Sequence, residues 1–231
     1  MAAIDTASLR LVFAGFDILL TEEQVGMFST YADMLVERNK VMNLTSVTDS
    51  EGIIIKHFAD SCLPLTMVDV PRGAKLIDVG AGAGFPSIPM KIVRDDLSLT
   101  LLDSLNKRVN FLREVSAALN LDATCIHSRA EDGARTYLRE SFDIATARAV
   151  ARLSVLSEYC LPYVKPGGRF IALKGSDCKD EIADAREIIA KLGGEISQIT
   201  EYCLPNGDRR TVVVVEKVGK TPGVYPRRVV K

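Results

Sequence analysis

The sequence is poor in the residues that build metal centres and crosslinks. Its 231 residues include two histidines and five cysteines (Cys62, Cys125, Cys160, Cys178 and Cys203), and no two cysteines form a C-x-x-C pair. That spacing argues against a metal site and against a disulfide framework. An excess of one charge is lacking too: 29 Lys and Arg nearly cancel 30 Asp and Glu, for a net charge of −1. This excludes a broadly polybasic nucleic-acid binder but leaves room for a local basic patch. Nowhere do eighteen uncharged apolar residues run together, so no membrane-spanning helix is expected. Arg10 and Asp17 interrupt the apolar stretch from Leu9 to Leu20, and no small-residue cleavage site follows it, unlike a secretory signal. A soluble, cytoplasmic chain is expected.

The remaining composition, 47% hydrophobic and 26% charged, is that of a globular protein. The length suits one sizeable α/β domain with an appendage, or two small domains. Pro71, Arg72 and Gly73 divide the chain, giving a helical N-terminal cap over 1–70 and a second domain over 71–231. In the cap, Thr21-Glu22-Glu23-Gln24 forms a capping box, opening a helix with Val25, Phe28, Ala32 and Leu35 on one face. Thr48-Asp49-Ser50-Glu51 offers a second box before a helical run from Gly52 to about Cys62. After residue 73, strands are expected at Lys75–Val79, Ser98–Asp103, Ala123–His127, Phe142–Ala147, Arg169–Lys174, Glu195–Leu204 and Thr211–Glu216. Helical stretches separate the first six, which implies a parallel sheet covered on both faces. Only Pro205-Asn206-Gly207-Asp208 separates the last two, so the last strand closes a hairpin and runs antiparallel.

The first strand ends in Asp78-Val79-Gly80-Ala81-Gly82-Ala83-Gly84. Glycines at a strand-to-helix turn let bare backbone approach a ligand at the carboxyl edge of the sheet. The dinucleotide pattern G-x-G-x-x-G fails in both frames, at Phe85 and at Ser87, and no Gly-Lys-Ser/Thr follows. What remains resembles the first motif of the class I S-adenosylmethionine-dependent methyltransferases. The physical reading adds Gly82, Gly84 and Asp103 as cofactor residues. Asp103 ends the second strand about nineteen residues beyond Gly84, where a carboxylate accepts two bonds from a ribose diol. Arg148, at the end of the fourth strand, suits a carboxylate or phosphate in the crevice. No Asp/Asn-Pro-Pro-aromatic turn follows that strand, as exocyclic amine methylation would want, and it carries no cysteine nucleophile for pyrimidine C5. Guanine N7 has a free lone pair and needs neither device, only positioning and desolvation.

Several motifs in order then resemble one bacterial family, RsmG/GidB (glucose-inhibited division protein B). They are Asn43-Leu44-Thr45, His57 with Asp60-Ser61, Asp78 through Pro86, Leu102-Asp103-Ser104 with Lys107-Arg108, Arg129-Ala130-Glu131, Ala147-Arg148-Ala149 and Leu173-Lys174-Gly175. The resemblance implies a Rossmann-like, seven-stranded, mostly parallel sheet under the helical cap. It also implies methylation of N7 of guanine 527 in 16S ribosomal RNA. S-adenosylmethionine would be the cofactor and S-adenosylhomocysteine its product, without a metal. It carries over cofactor contacts at Gly80, Phe85, Ala130, Glu131 and Arg148. Substrate-site candidates are Asn43, Thr45, His57, Arg148, Arg209 and Arg210, with no acid or base assigned. Two positions depart from the family pattern: Ser87 stands where Gly is usual, and Met42 where Trp is usual.

The expected partner is 16S ribosomal RNA or the small ribosomal subunit, with the chain acting as a monomer. From Pro205 to Lys231 seven basic residues face two acidic ones, a patch able to neutralise phosphates. In A-form RNA the groove holding N7 is closed to side chains, so the target must lie in a loop or leave its stack. Two other readings also fit the generic motifs: a small-molecule methyltransferase, and a non-catalytic module that binds the cofactor or RNA.

Overall fold

The computed structural model describes residues 3–148 and 151–227. Helix α1 (Thr6–Ala14) is capped by Asp5, whose carboxylate accepts from the backbone N–H of Ala7 and Ser8. Helix α2 (Glu22–Met42) starts at the Thr21/Gln24 capping box, with both reciprocal bonds present. Its buried face is Val25, Phe28, Tyr31, Ala32 and Leu35, the predicted stripe with Tyr31 added. The second box is shifted by one residue. Asp49, not Thr48, caps α3 (Ser50–Gly52) and accepts from Gly52 N–H at 2.7 Å.

The helix predicted beyond Gly52 is π-helical over Ile53–Ala59, then resumes as α4 (Asp60–Cys62) and α5 (Pro64–Met67). The wider turn has a local consequence. Asp60 N–H bonds the carbonyls of Ile55 and His57, not that of Lys56. The Lys56 carbonyl thus loses its usual i+4 donor, and such insertions recur at functional sites.

The sheet comprises β1 (Lys75–Val79), β2 (Ser98–Asp103), β3 (Ala123–His127), β4 (Phe142–Arg148), β5 (Val164–Lys174), β6 (Gly194–Cys203) and β7 (Arg209–Lys217). Its order is β3-β2-β1-β4-β5-β7-β6, with β7 antiparallel to both neighbours and the other pairs parallel. Strand order therefore reverses between β1 and β4, where open α/β sheets place their ligand crevice. Alternate residues face opposite sides. Leu76, Leu99, Ile144, Leu173 and Val214 join the cap helices, α6 (Ser87–Val93) and α7 (Asn106–Ala118) in one core. Ile77, Leu102, Ala145, Phe170 and Val213 face α9 (Leu153–Cys160) and α10 (Lys179–Lys191), with α8 (Ala130–Gly133) at the margin. The cap is thus one cover of the sheet: Gln24 reaches across to donate to the Ile92 carbonyl at 2.9 Å.

Candidate active site

The glycine turn follows β1. Gly80, Gly82 and Gly84 all have positive φ, at 78°, 60° and 102°, a region costly to residues bearing a Cβ. Gly80 and Ala81 donate to the Leu102 carbonyl at 2.8 and 3.0 Å. Gly82 N–H donates to Asp103 Oδ2 at 2.9 Å, while Leu105 N–H donates to Oδ1 at 2.9 Å. Asp103 therefore orders the turn itself. Tyr31, fully buried on α2, donates its hydroxyl to the Ala83 carbonyl at 2.6 Å. A Cβ on Gly84 would lie 2.5 Å from Ile88 Cδ1 and 2.8 Å from the Tyr31 hydroxyl, so Gly84 is needed for close packing. A Cβ on Gly82 would meet nothing nearer than the Gly80 carbonyl at 3.9 Å, an open cradle.

That cradle belongs to a cavity of about 340 Å³ lined by Leu44, Thr45, His57, Gly80 to Ala83, Phe85, Asp103, Ser104, Arg108 and Arg148. A second cavity, of about 390 Å³, is lined by Val47, Lys56, His57, Asp60, Arg148, Leu173, Lys174, Gly175 and Arg210. His57 and Arg148 line both. They form the wall between a glycine-rich chamber and a cationic one.

The wall is built from the π segment and the end of β4. Arg148 donates to the Lys56 carbonyl released by the π turn at 3.0 Å, to Asp60 Oδ2 at 3.2 Å and to His57 Nδ1 at 3.3 Å. A guanidinium has no acceptor, so Nδ1 must accept and the proton sits on Nε2. Nε2 then donates to Thr45 Oγ1 at 2.8 Å. Burial first, and the Arg148 charge second, lower the His57 pKa to about 4. His57 is thus neutral near pH 7. Its ring stacks on Phe85 with centroids 4.6 Å apart, and the Arg148 guanidinium lies 4.8 Å from the same ring centre.

Asp60 is the hub behind the wall. Its Oδ1 accepts from the Tyr202 hydroxyl at 3.0 Å and lies 3.5 Å from Arg210 Nε. Thr45 is held by Asn39, whose amide exchanges two bonds with the Thr45 backbone at 2.8 and 2.9 Å. Asp78 is fully buried; its Oδ2 accepts from Ser87 Oγ at 2.5 Å and its Oδ1 has no partner among the described residues. Burial, only partly offset by the Ser87 bonds, raises the Asp78 pKa to about 7.

Comparison with known proteins places this architecture. The family described as GidB, rRNA small subunit methyltransferase G, matches residues 24–212. A ribosomal RNA small subunit methyltransferase G of Lactobacillus johnsonii is 52% identical over 219 residues, covering 93% of this chain and 91% of that protein. One of the same name from Clostridium botulinum is 51% identical over 212 residues, covering 90% and 89%. The chain belongs to the rRNA small subunit methyltransferase G family.

Among solved structures, a SAM-dependent methyltransferase from Aquifex aeolicus superposes with a TM-score of 0.56 at 17% identity, covering 75% of this chain and 96% of that one. TrmN from Thermus thermophilus gives 0.51 at 18% identity, covering 71% and 53%. These likenesses concern the fold, a class I Rossmann-like methyltransferase domain.

In this member of the methyltransferase G family, the structure brings Thr45, His57, Gly80, Gly82, Phe85, Asp103 and Arg148 to one cavity and Arg210 to its neighbour. Other expected residues sit elsewhere. Asn43, in left-handed conformation, caps α2. Arg209 pairs with Cys203 at the end of the hairpin. Ala130 and Glu131 open α8 after β3 and line neither cavity; the Ala130 carbonyl accepts from Tyr163 at 2.7 Å. The His57 ring meets neither Asp60 nor Ser61, although they stand three and four residues further along the same helical run: Arg148 lies between His57 and Asp60, and Ser61 bonds the His57 carbonyl. Among the described residues the C-terminal basic patch is dispersed. Lys217 is buried, donating to the carbonyls of Leu161 and Val164, and Arg227 is paired with Glu158. Ala149, Arg228 and Lys231 lie outside the described residues. Sequence reasoning gave no role to Asn39, Lys56, Arg108 or Tyr202. Arg108 alone carried a signal, standing five residues after Asp103 beside Lys107.

The glycine chamber fits S-adenosylmethionine. It combines an open cradle at Gly82, a carboxylate at Asp103, guanidinium groups at Arg108 and Arg148, and an aromatic face at Phe85. These suit a close-lying backbone contact, a ribose diol, an amino-acid carboxylate and an apolar edge in turn. Among the described residues no three His, Cys, Asp or Glu side chains cluster to hold a metal, and no helix is long and apolar enough to cross a membrane.

Proposed function

We propose that this chain methylates N7 of guanine 527 in 16S ribosomal RNA, on the small subunit or its precursor in the cytoplasm. The observation that carries this reading is the shared wall: His57 and Arg148 line both the glycine chamber and the cationic chamber. A donor on one side and a base on the other meet there.

When bound, S-adenosylmethionine supplies a methyl group on a sulfonium centre. The protein's part is geometric. Asp103 and the Gly82 N–H order the cradle, and Tyr31 ties it to the cap. Phe85, His57 and Arg148 form a stacked edge at the wall. His57 moves no proton: Nδ1 is occupied by Arg148, Nε2–H by Thr45, and its pKa is about 4. N7 chemistry asks for no base, because the attacking lone pair carries no proton. Positioning then supplies the rate.

The test is transfer of labelled methyl to small-subunit RNA lacking the modification, with the label mapped by cleavage at N7-methylguanine. One labelled guanine with the wild type, and none with Arg148→Ala, is the expected result. Absence of label on both naked RNA and subunits, with cofactor binding intact, would overturn the assignment.

A further inference from the structure

The cationic chamber contains a contact that the methyl-transfer reading leaves unexplained. Its lining carries four cations (Lys56, Arg148, Lys174 and Arg210) against one carboxylate, Asp60. Two of the four are engaged elsewhere, and Arg210 turns only its Nε to Asp60, at 3.5 Å. Arg148 is bound into the wall, and Lys174 is paired with Glu181 at 2.6 Å. The other two converge on one atom from outside the lining. Asp208 Oδ2 lies 3.5 Å from Lys56 Nζ and 3.3 Å from an Arg210 terminal nitrogen.

Asp208 sits in the β6–β7 hairpin turn beside Gly207, with its side chain 38% exposed. The backbone there is fixed without it, since the Asp208 carbonyl accepts from Leu204 N–H at 2.9 Å. Besides the two cations the carboxylate is held only by the side chain of Asn206 in the same turn, so among the described residues its release leaves the strands undisturbed. One oxygen held between an ammonium and a guanidinium has the geometry of a phosphate oxygen between the same two groups. The target guanine must leave its stack to expose N7. A base entering this chamber over Val47 and Leu173 brings its own phosphate to the rim.

We propose that Lys56 and Arg210 form a phosphate clamp for the target nucleotide, and that Asp208 occupies the clamp in the free protein until an RNA phosphate displaces it. This rests on the RNA-methyltransferase reading above. It makes an unusual demand: removing a charge of the same sign as RNA must help, and only while the clamp is present.

The experiment measures filter-binding affinity of small-subunit RNA lacking the modification, across a salt series. The proteins are wild type, Asp208→Asn, Lys56→Ala and the double variant, with cofactor affinity recorded for each. Asp208→Asn should tighten RNA binding by up to about fivefold. Lys56→Ala should weaken it about tenfold and flatten the log–log salt slope by roughly 0.7. In the Lys56→Ala background the gain from Asp208→Asn should shrink. Cofactor affinity should be equal in all four. Weaker or unchanged RNA binding by Asp208→Asn overturns the clamp. The methyl-transfer assay on the same samples separates the two readings: transfer by wild type without an Asp208 effect removes the clamp alone. An Asp208 effect on binding without any transfer removes the methylation assignment alone.

Discussion

Replacing Asp60 by Ala should damage the protein in two ways that can be measured apart. The Asp60 and Arg148 side chains are 5% and 15% exposed, and they form a pair at 3.2 Å. Removing one partner of a buried pair leaves an uncompensated charge, at a cost of about 3–5 kcal/mol. Tyr202 loses its acceptor in the same step, and Arg210 loses one of its two carboxylate partners. At the lower figure of about 3 kcal/mol, a chain of this size should melt about 6–12 °C lower. Arg148→Met in the same background removes the orphaned charge and should recover a large part of the stability. It should recover no methyl transfer, because the wall is still broken. Thermal melts and labelled-methyl assays on wild type, both single variants and the double variant close the cycle. If Asp60→Ala melts within a degree of wild type, or the double variant is no more stable than Asp60→Ala, the pair is not the buried contact described.

The two perturbed titrations predict opposing pH dependences. His57 has its pKa lowered from 6.5 to about 4, so between those values the unfolded chain binds more protons and stability rises with pH, by about 3 kcal/mol. Asp78 has its pKa raised from 3.8 to about 7, so the folded chain binds more protons and stability falls with pH, by about 4 kcal/mol. Urea unfolding between pH 4 and 7 should therefore be nearly flat for wild type, fall with pH for His57→Gln and rise with pH for Asp78→Asn; parallel curves for all three would contradict both shifts. Gly84→Ala should cost about 2–4 kcal/mol, since its methyl overlaps Ile88 and Tyr31 at a left-handed position. Gly82→Ala should cost only about 1 kcal/mol in denaturant midpoint while weakening cofactor binding at least about tenfold, measured by calorimetry.

Much of the sheet was legible because β1, β2 and β3 are short apolar runs bounded by polar turns, and their limits agree with the structure. The fifth strand starts at Val164, five residues before its predicted start. Pro166, Gly167 and Gly168 are residue types that disfavour strands, yet the strand passes through them beside a register shift in β4. Gly168 is required there, since a Cβ would sit 2.4 Å from the Asp143 carbonyl. Residue spacing also missed the π turn, because Ile53 to Ala59 is apolar nearly all round and shows no face whose period could differ from an α-helix. The glycine turn was readable as a local motif. The wall was not: Arg148 meets His57 and Asp60 across about ninety positions of sequence, and only the crossover at β1 and β4 joins them.

The strand order has a consequence for how the molecule is made. β7, the last strand in chain order among the described residues, is an interior strand lying between β5 and β6. At roughly 5–20 residues per second, translation from Lys174 to Lys217 takes roughly 2–9 s. During that interval β5, with Phe170, Ile171, Ala172 and Leu173 along it, presents an open edge able to pair with another chain. The β6–β7 hairpin closes that edge and brings Arg210 and Asp208 to the site in the same movement. A nascent or truncated chain without the hairpin therefore has a sticky sheet and an incomplete cationic chamber, and handling of the target nucleotide begins only once the sheet is sealed.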